Sequence, residues 1–186
     1  MTDLQKYRTD QLKQLTAEIG VYALCDLDNV PIYLGQSKDA IRSRVRRHLT
    51  SARSDVIANR QIDVWEIAYV WAWPMPGKTK EEIRNLEHYL ANKFNQASPL
   101  MNGAIPPRTP KPKNIPKRQE VQILPDDEIE SRQEPINRLP RQMTQFSTLF
   151  SYILEVKNNV ELRRTLKAHF ARLKNYYEGF VGTYKD

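Results

Sequence analysis

Apolar residues are concentrated in short runs whose spacing predicts a small sheet flanked by helices. Three runs rich in β-branched and aromatic residues predict strands: 19–27, 30–36 and 63–73. Asp28-Asn29 suits a tight turn between the first two strands. Pro31 has no N–H to donate to a neighbouring strand, which places it at a strand start or on a sheet edge.

Apolar positions repeat at helical spacing in four further runs. These predict helices over 3–17, over 39–53, from Thr79 to about Asn95, and over 142–178, the last as one broken helix or a helical pair. Asp39 is a suitable N-cap for the second of these helices. Thr79, with Glu82 three residues later, has the sequence signature of a capping box for the third.

Proline changes the picture between residues 106 and 140, where eight of the chain's 12 prolines fall. Regular structure is not expected over most of this segment. Its first part, 107–118, is a basic extended arm, and 126–130 is an acidic patch. The pattern therefore predicts four parts: an N-terminal helix (1–17), a central module (18–104), a Pro-rich linker (105–141) and a C-terminal helical segment (142–186).

The charge balance favours a polyanionic partner. Lysine and arginine number 29 against 22 aspartate and glutamate, so the net charge is +7, and the sequence pI is about 9.5. Nucleic acid is the leading candidate for such a partner. The alternative is a soluble protein whose surface is only mildly basic.

The cysteine content and the hydropathy of the chain bear on its expected cellular location. Cys25 is the only cysteine, which excludes an intramolecular disulfide and argues against a cysteine-based zinc site. The first residues carry no signal-peptide pattern. The longest apolar run, Ile67 to Trp73, is too short to span a bilayer. We therefore expect a cytoplasmic protein with no membrane partner.

Glu87 is the residue that packing explains least. It falls within the apolar stripe of a predicted helix, formed by Ile83, Leu86, Leu90 and Phe94. A charge in such a position is costly unless something pairs with it. A hard cation such as Mg²⁺ takes one or two protein carboxylates, with waters and substrate oxygens completing its shell. Metal ligation by Glu87 and a structural ion pair with Arg44 are both open at this point.

Four more residues could carry chemistry nearby. Tyr22 and Tyr33 fall on adjacent predicted strands, and a phenol can orient a water or relay a proton. Simple cross-strand packing is the alternative for both. Arg44 lies on a helix flank from which a guanidinium can neutralise a phosphoryl oxygen, unless that flank is merely solvated. His48, one turn later, is either catalytic or a core histidine.

Two tripeptides in the predicted strands resemble those that define the GIY-YIG nuclease family. They are Gly20-Val21-Tyr22, with valine for the usual isoleucine, and Tyr33-Leu34-Gly35, with leucine for isoleucine. The resemblance covers about residues 18–104 and leaves 105–186 unexplained.

The helices continue this resemblance. Arg44 matches the family's catalytic arginine, although the preceding loop is one residue longer here and makes Arg42 a competing assignment. Glu87 matches the metal-binding glutamate, and Asn102 matches the asparagine that follows it and braces the site. The family implies an α/β (α+β) fold: a β-β-α-β-α module with a small three-stranded antiparallel sheet, here followed by the Pro-rich linker and the C-terminal helices.

The resemblance also implies a chemistry, the single-metal hydrolysis of a DNA phosphodiester with Mg²⁺ or Mn²⁺ held by Glu87. Tyr22 would orient or deprotonate the attacking water, acting through Tyr33, while Arg44 would stabilise the developing charge. His48 matches a position that some restriction-enzyme members use. Supporting residues would be Gly20, Gly35, Lys38 and Asn102, with Lys38 tuning the tyrosine. The arginines expected to grip DNA phosphates are Arg42, Arg46, Arg47 and Arg53.

Several biological roles fit this module. A restriction- or defence-type endonuclease is the role we expect, and a mobile-element (homing-type) nuclease is the alternative within the same chemistry. A catalytically silent DNA-binding or assembly protein that keeps the module as a scaffold is the alternative from another class. The C-terminal helices are expected to dock on the module or on a second copy of the chain, and they predict a homodimer.

Overall fold

Helices and strands alternate along the first half of the chain, and helices dominate the second. The computed structural model describes residues 2–50, 54 and 58–182. Within them the elements are α1 (Asp3–Gln14), β1 (Gly20–Cys25), β2 (Pro31–Ser37), α2 (Ile41–Thr50), a 3₁₀ turn (Val64–Glu66), β3 (Tyr69–Pro74), α3 (Lys80–Ala97), β4 (Gln119–Gln122), α4 (Asp126–Gln133), α5 (Pro135–Glu155) and α6 (Val160–Gly182). None of these helices combines the length and the apolar character that a membrane span requires.

The sheet is antiparallel throughout, with strand order β2-β1-β3-β4. β1 lies between two neighbours, and all six of its residues are buried. The β1–β2 turn was predicted correctly: Asn29 adopts φ 57°, and the amide of Asp26 donates to the carbonyl of Val30. Pro31 begins β2, an edge strand, as its missing N–H requires.

The predicted three-stranded sheet is wrong by one strand. Residues 119–122, inside the Pro-rich segment, form β4 and pair with β3 from Tyr69↔Gln122 to Ala72↔Gln119. Regular structure continues in α4, whose first turn carries the acidic patch at the helix end where negative charge is favourable. The expectation of mostly irregular structure therefore fails from residue 119 onward, because β3 offers a free edge that no local pattern announces.

Two other boundaries differ from the sequence reading. The predicted strand at 63–73 begins later, because Asp63 caps the 3₁₀ turn with its side chain and β3 starts only at Tyr69. α1 ends at Gln14, short of the predicted residue 17. By contrast, the capping box of α3 is confirmed, with Thr79 and Glu82 each bonded to the other's backbone amide.

α2 is not started by its predicted cap. It begins at Ile41 rather than directly after Asp39. The first two helical amides, of Ile41 and Arg42, donate to the carbonyls of Glu18 and Thr16 in the segment before β1. Tertiary contacts thus satisfy donors that a side chain would otherwise cap. The predicted end of this helix, 51–53, lies outside the described residues.

The sheet is covered on both faces. Tyr22 and Leu24 of β1 pack in the cluster that includes Ile41 and Val45 of α2, together with apolar residues of α1. Alternate β1 residues point to the other face, where they meet α3. Side chains of α2 and α3 can therefore meet only around the edge of the sheet, beyond β2.

The C-terminal helices α5 and α6 dock on the module. The sequence analysis left open whether they would dock there or on a second copy of the chain. Arg172 and Tyr176 of α6 both donate to the buried carboxylate of Asp26, which follows β1. Arg138 of α5 pairs with Asp28 at 2.7 Å and with Glu66 at 3.3 Å. Except for the half-exposed Asp28, the charges of these pairs are nearly fully buried, so the cost of desolvation offsets much of their attraction.

Dimerisation stays a prediction, and an exposed aromatic cluster on α5 and α6 is where we expect it. The ring centroids of Phe146 and Phe150 are 6.3 Å apart, those of Phe146 and Phe170 are 5.9 Å apart, and Phe150 and Phe170 remain about half exposed. Light scattering should give a dimer mass for the wild type and a monomer mass for Phe150→Glu. Ala97→Glu, on exposed α3 surface, should stay dimeric. A monomer mass for the wild type at micromolar concentration would remove the prediction.

Candidate active site

The Tyr22 side chain lies across strand β2 at a position that only glycine can occupy. Tyr22 is fully buried and pairs in register with Gly35. A Cβ on Gly35 would lie 2.7 Å from the Tyr22 hydroxyl oxygen. The second tripeptide therefore ends in glycine because the phenol of the first tripeptide needs that space.

Gly20 has a backbone reason of its own. Its φ is +149°, and a Cβ there would lie 2.1 Å from the carbonyl oxygen of Trp73 on β3. Because the contact is with backbone, no side-chain adjustment relieves it. The first tripeptide thus begins with glycine so that β1 can approach β3 closely.

A chain of two hydrogen bonds leads away from the phenol. The Tyr22 hydroxyl lies 2.7 Å from Nε2 of His48, and Nδ1 of His48 lies 2.7 Å from Oγ of Ser54. Tyr33 packs edge-on against the imidazole, with ring centroids 5.5 Å apart. His48 and Ser54 are both buried, so this chain is shielded from exchange with bulk water.

The pKa of Tyr22 shows which groups surround it. Burial raises the pKa of the phenol well above its ordinary value, and the neighbouring Tyr33 raises it further. Arg44 acts in the opposite direction, and the charge of Glu87 adds to the increase. Tyr22 therefore keeps its proton at neutral pH, and it lies within electrostatic reach of both Arg44 and Glu87.

Arg44 and Arg42 point to different places. Nε of Arg42 donates to the carbonyl of Leu15 at 2.6 Å, on the α1 side of α2. Arg44 lies beside the Tyr22 phenol, and its Nε is buried without a hydrogen-bond partner in the part of the chain that the structure describes. The geometry favours Arg44 over the competing Arg42 as the arginine of this site.

Glu87 lies half-buried on α3, and burial raises the pKa of its carboxyl to about 7. No hydrogen bond or ion pair joins it to another described residue, so the structural pair with Arg44 does not form among them. The carboxyl borders a cavity of about 170 Å³ that Leu34 and Asn102 also line. An acid without a partner, beside an open cavity, is available to a cation.

The donor set fits one kind of metal better than another. Residues 2–50, 54 and 58–182 contain no group of three or more His, Cys, Asp or Glu that could enclose an ion. A structural zinc site needs four protein ligands and is not supported there. Mg²⁺ or Mn²⁺ fits Glu87, because such ions keep most of their shell as water and substrate oxygens.

Asn102 closes the outer edge of β2. Its Oδ1 accepts from the amide of Leu34 at 3.0 Å, and its Nδ2 donates to the carbonyl of Leu34 at 2.7 Å. The amide of Met101 donates to Ile32 in the same way. On the other side, Arg164 of α6 donates to the carbonyl of Asn102. Asn102 therefore fixes the edge strand that carries Tyr33 and Gly35.

Comparison with known families agrees with this geometry. Residues 18–101 match the family model described as the GIY-YIG catalytic domain. Residues 18–101 form a GIY-YIG catalytic domain. No curated protein and no solved structure gives a significant match to the chain. The family match ends one residue before Asn102, so α1, β4 and the three C-terminal helices lie outside it.

Ser54 is the residue of this GIY-YIG site that the sequence did not single out. It follows His48 by six residues, a spacing that does not place two residues on the same face of a helix. The structure nevertheless places its hydroxyl 2.7 Å from Nδ1 of the imidazole. A serine in a polar stretch carries no signal that would have identified it.

The remaining predicted residues lie at the surface around the GIY-YIG site. Lys38 is exposed directly after β2, and Arg46 and Arg47 are exposed on α2. Arg53 lies outside the described residues. Exposed cations of this kind suit contacts to a phosphate backbone, which is their proposed role.

The Gly35→Ala substitution tests whether the phenol of Tyr22 needs the space that the missing side chain of Gly35 leaves. The new methyl group should displace the Tyr22 ring and break its bond to His48, lowering single-turnover DNA cleavage by about a hundredfold and stability by roughly 1–3 kcal/mol. Gly179→Ala on α6 is the control, because its Cβ would meet nothing within 4 Å. The control should cleave normally. A wild-type cleavage rate in Gly35→Ala would show that the phenol position is unimportant.

Proposed function

We propose that the protein is a divalent-metal-dependent endonuclease that hydrolyses phosphodiester bonds of DNA. The observation that carries this proposal is the half-buried Glu87 carboxyl, which has no described partner and lies within electrostatic reach of Tyr22. Arg44 lies beside the same phenol. An acid, a phenol and a guanidinium within electrostatic reach of one another supply the groups that phosphodiester hydrolysis requires.

Glu87 is the proposed ligand for Mg²⁺ or Mn²⁺. When bound, such a cation polarises the scissile phosphate and favours departure of the 3′ oxygen. Arg44 contributes a fixed positive charge in a buried environment, where it stabilises the additional negative charge on the phosphoryl oxygens. Its Nε makes no hydrogen bond with another described residue, so no such bond holds the guanidinium away from the phenol.

Tyr22 is the proposed group that orients the attacking water and accepts its proton. Because burial raises the pKa of Tyr22, the phenolate is not available as a base. Tyr22 instead passes its own proton to Nε2 of His48, 2.7 Å away, as it takes the proton of the water. The water oxygen forms a bond to phosphorus, the bond from phosphorus to the 3′ oxygen breaks, and that oxygen takes a proton from solvent. The relay to His48 replaces the route through Tyr33.

Contacts to the rest of the DNA are proposed for the cations near this site. Arg46, Arg47 and Lys38 are exposed, and Arg42 keeps part of its guanidinium free beyond the bond to Leu15. Their contacts are expected to be with phosphates, which position the duplex without reading its sequence. Arg53 belongs to the same proposal.

A restriction- or defence-type role is the biological setting we propose. The single cysteine gives these residues no cysteine-based zinc module of the kind that some homing-type nucleases use, although a mobile-element role shares the same chemistry. The alternative is a catalytically silent DNA-binding or assembly protein, and an activity assay distinguishes it from an endonuclease. No feature of the described residues favours it over catalysis.

Glu87→Gln tests the metal site. Wild type should cleave plasmid DNA with Mg²⁺ or Mn²⁺, and Glu87→Gln should lose at least a hundredfold in rate, whereas Glu81→Gln, exposed on the same helix, should not. Metal at ten times its Kd should stabilise wild type by about 1.4 kcal/mol and leave Glu87→Gln unchanged.

The stabilisation of the wild-type protein by metal should also depend on pH. Metal competes with the proton on Glu87, whose pKa is about 7, so metal stabilisation should increase as pH rises from 6 to 8. Cleavage by Glu87→Gln at the wild-type rate would contradict the assigned site. Failure of wild type to cut any DNA form would favour the scaffold alternative.

Ser54→Ala tests the proton relay. If Nε2 of His48 accepts from Tyr22, Nδ1 must carry the hydrogen and donate to Ser54. Nitrogen-15 NMR should show the Nδ1–H tautomer for His48 in wild type and a mixture in Ser54→Ala, with cleavage reduced about tenfold to a hundredfold.

Two features make this measurement decisive. The chain has only three histidines, so His48→Gln assigns the signal. Ser54→Thr keeps the hydroxyl and should restore both the tautomer and the rate. An Nε2–H tautomer in the wild type would rule out the relay in this direction.

A further inference from the structure

A basic groove runs between α1 and α2, on the flank of α2 that faces away from the catalytic residues. Its volume is about 460 Å³. The described residues that line it include four cations, Arg8, Lys13, Arg42 and Arg46, and no carboxylate. α1 lies outside the matched GIY-YIG domain, so half of this groove is built by a segment that the family model does not contain.

The cations of this groove are only partly neutralised. Lys13 pairs with Asp10 at the surface. Arg42 uses Nε on the carbonyl of Leu15, which leaves its terminal nitrogens for another acceptor. Nε of Arg8 is buried with no hydrogen-bond partner among the described residues. Arg8 lines the groove and forms no ion pair with a described carboxylate, so its charge favours an anion there.

The electrostatic surroundings of Arg8 lead to the same conclusion. Burial and the charge of Arg132 lower the pKa of Arg8, and Glu128 opposes them only in part. Glu128 itself is engaged with Arg132, at 2.8 Å. Arg8 therefore lacks a dedicated counter-ion among the residues that the structure describes.

We propose that the groove between α1 and α2 binds a second phosphate of the DNA strand that is cut, held by Arg8, Arg42 and Arg46. This inference rests on the proposed endonuclease function and adds a binding site to it. Arginine suits this role, because its planar fork donates two parallel hydrogen bonds to phosphate oxygens.

The position of the groove predicts which phosphate it holds. α2 separates it from Arg44 and His48, and a helix with its side chains is about 10 Å across. Nucleotides of one DNA strand advance about 3.4 Å along the duplex axis. The groove should therefore hold a phosphate roughly two to three nucleotides from the scissile one, and the strand would pass over the exposed face of α2.

The test measures DNA affinity as a function of salt in the cleavage-deficient Glu87→Gln background. Adding Arg8→Gln and Arg46→Gln should weaken binding about tenfold and reduce the slope of log K against log salt by about 1, the loss of one phosphate contact. Arg163→Gln with Lys167→Gln, exposed on α6, is the matched control and should change neither value. Arg8→Lys with Arg46→Lys should recover most of the slope, which separates charge from folding.

A chemically neutral phosphate identifies the contact. A methylphosphonate placed two or three nucleotides from the cut should weaken binding to the Glu87→Gln background protein and have no further effect on the double arginine variant. An unchanged slope in the double variant would overturn the proposal. So would thermal stabilisation by inorganic phosphate with no change in DNA binding. In either case, continued Glu87-dependent cutting would leave the proposed endonuclease function intact.

Discussion

The candidate active site depends on one contact, in which the Tyr22 side chain crosses the edge strand β2 at a position that has no side chain. Gly35 leaves the space, Tyr22 fills it, and the hydroxyl thereby reaches His48 on α2. The same crossing brings the Tyr22 hydroxyl within electrostatic reach of Glu87. Tyr22 belongs to the sheet face that α2 covers, whereas Glu87 belongs to α3 on the opposite face. Without it, the proposed metal ligand Glu87 and the proposed proton acceptor Tyr22 would be separated by the sheet.

Residues near the two tripeptides were predictable because their roles are local. β-branched and aromatic runs identified β1 and β2, the glycines marked close approaches, and the capping box placed α3. Glu87 stood out because a charge in an apolar stripe contradicts simple packing, and the structure leaves it without a described partner. For these residues the relevant physics is contained in a few neighbouring positions.

The elements that were missed depend on partners far away in sequence. β4 has a single buried side chain, Val121, and exists because β3 offers it an edge. α2 is started by carbonyls of Thr16 and Glu18 rather than by Asp39. Ser54 bonds to His48, six residues earlier, through a contact that no helical repeat predicts. None of these contacts leaves a periodic or compositional trace.

Arg164 of α6 holds the carbonyl of Asn102 and also donates to Asn95 of α3. Through Asn102, a helix far along the chain thus keeps the outer hydrogen-bonding groups of β2 occupied. An uncovered strand edge invites pairing with other chains. Loss of α6 would therefore loosen Asn102 and weaken its cover over the edge of β2, so α6, although outside the GIY-YIG domain, supports that domain's sheet.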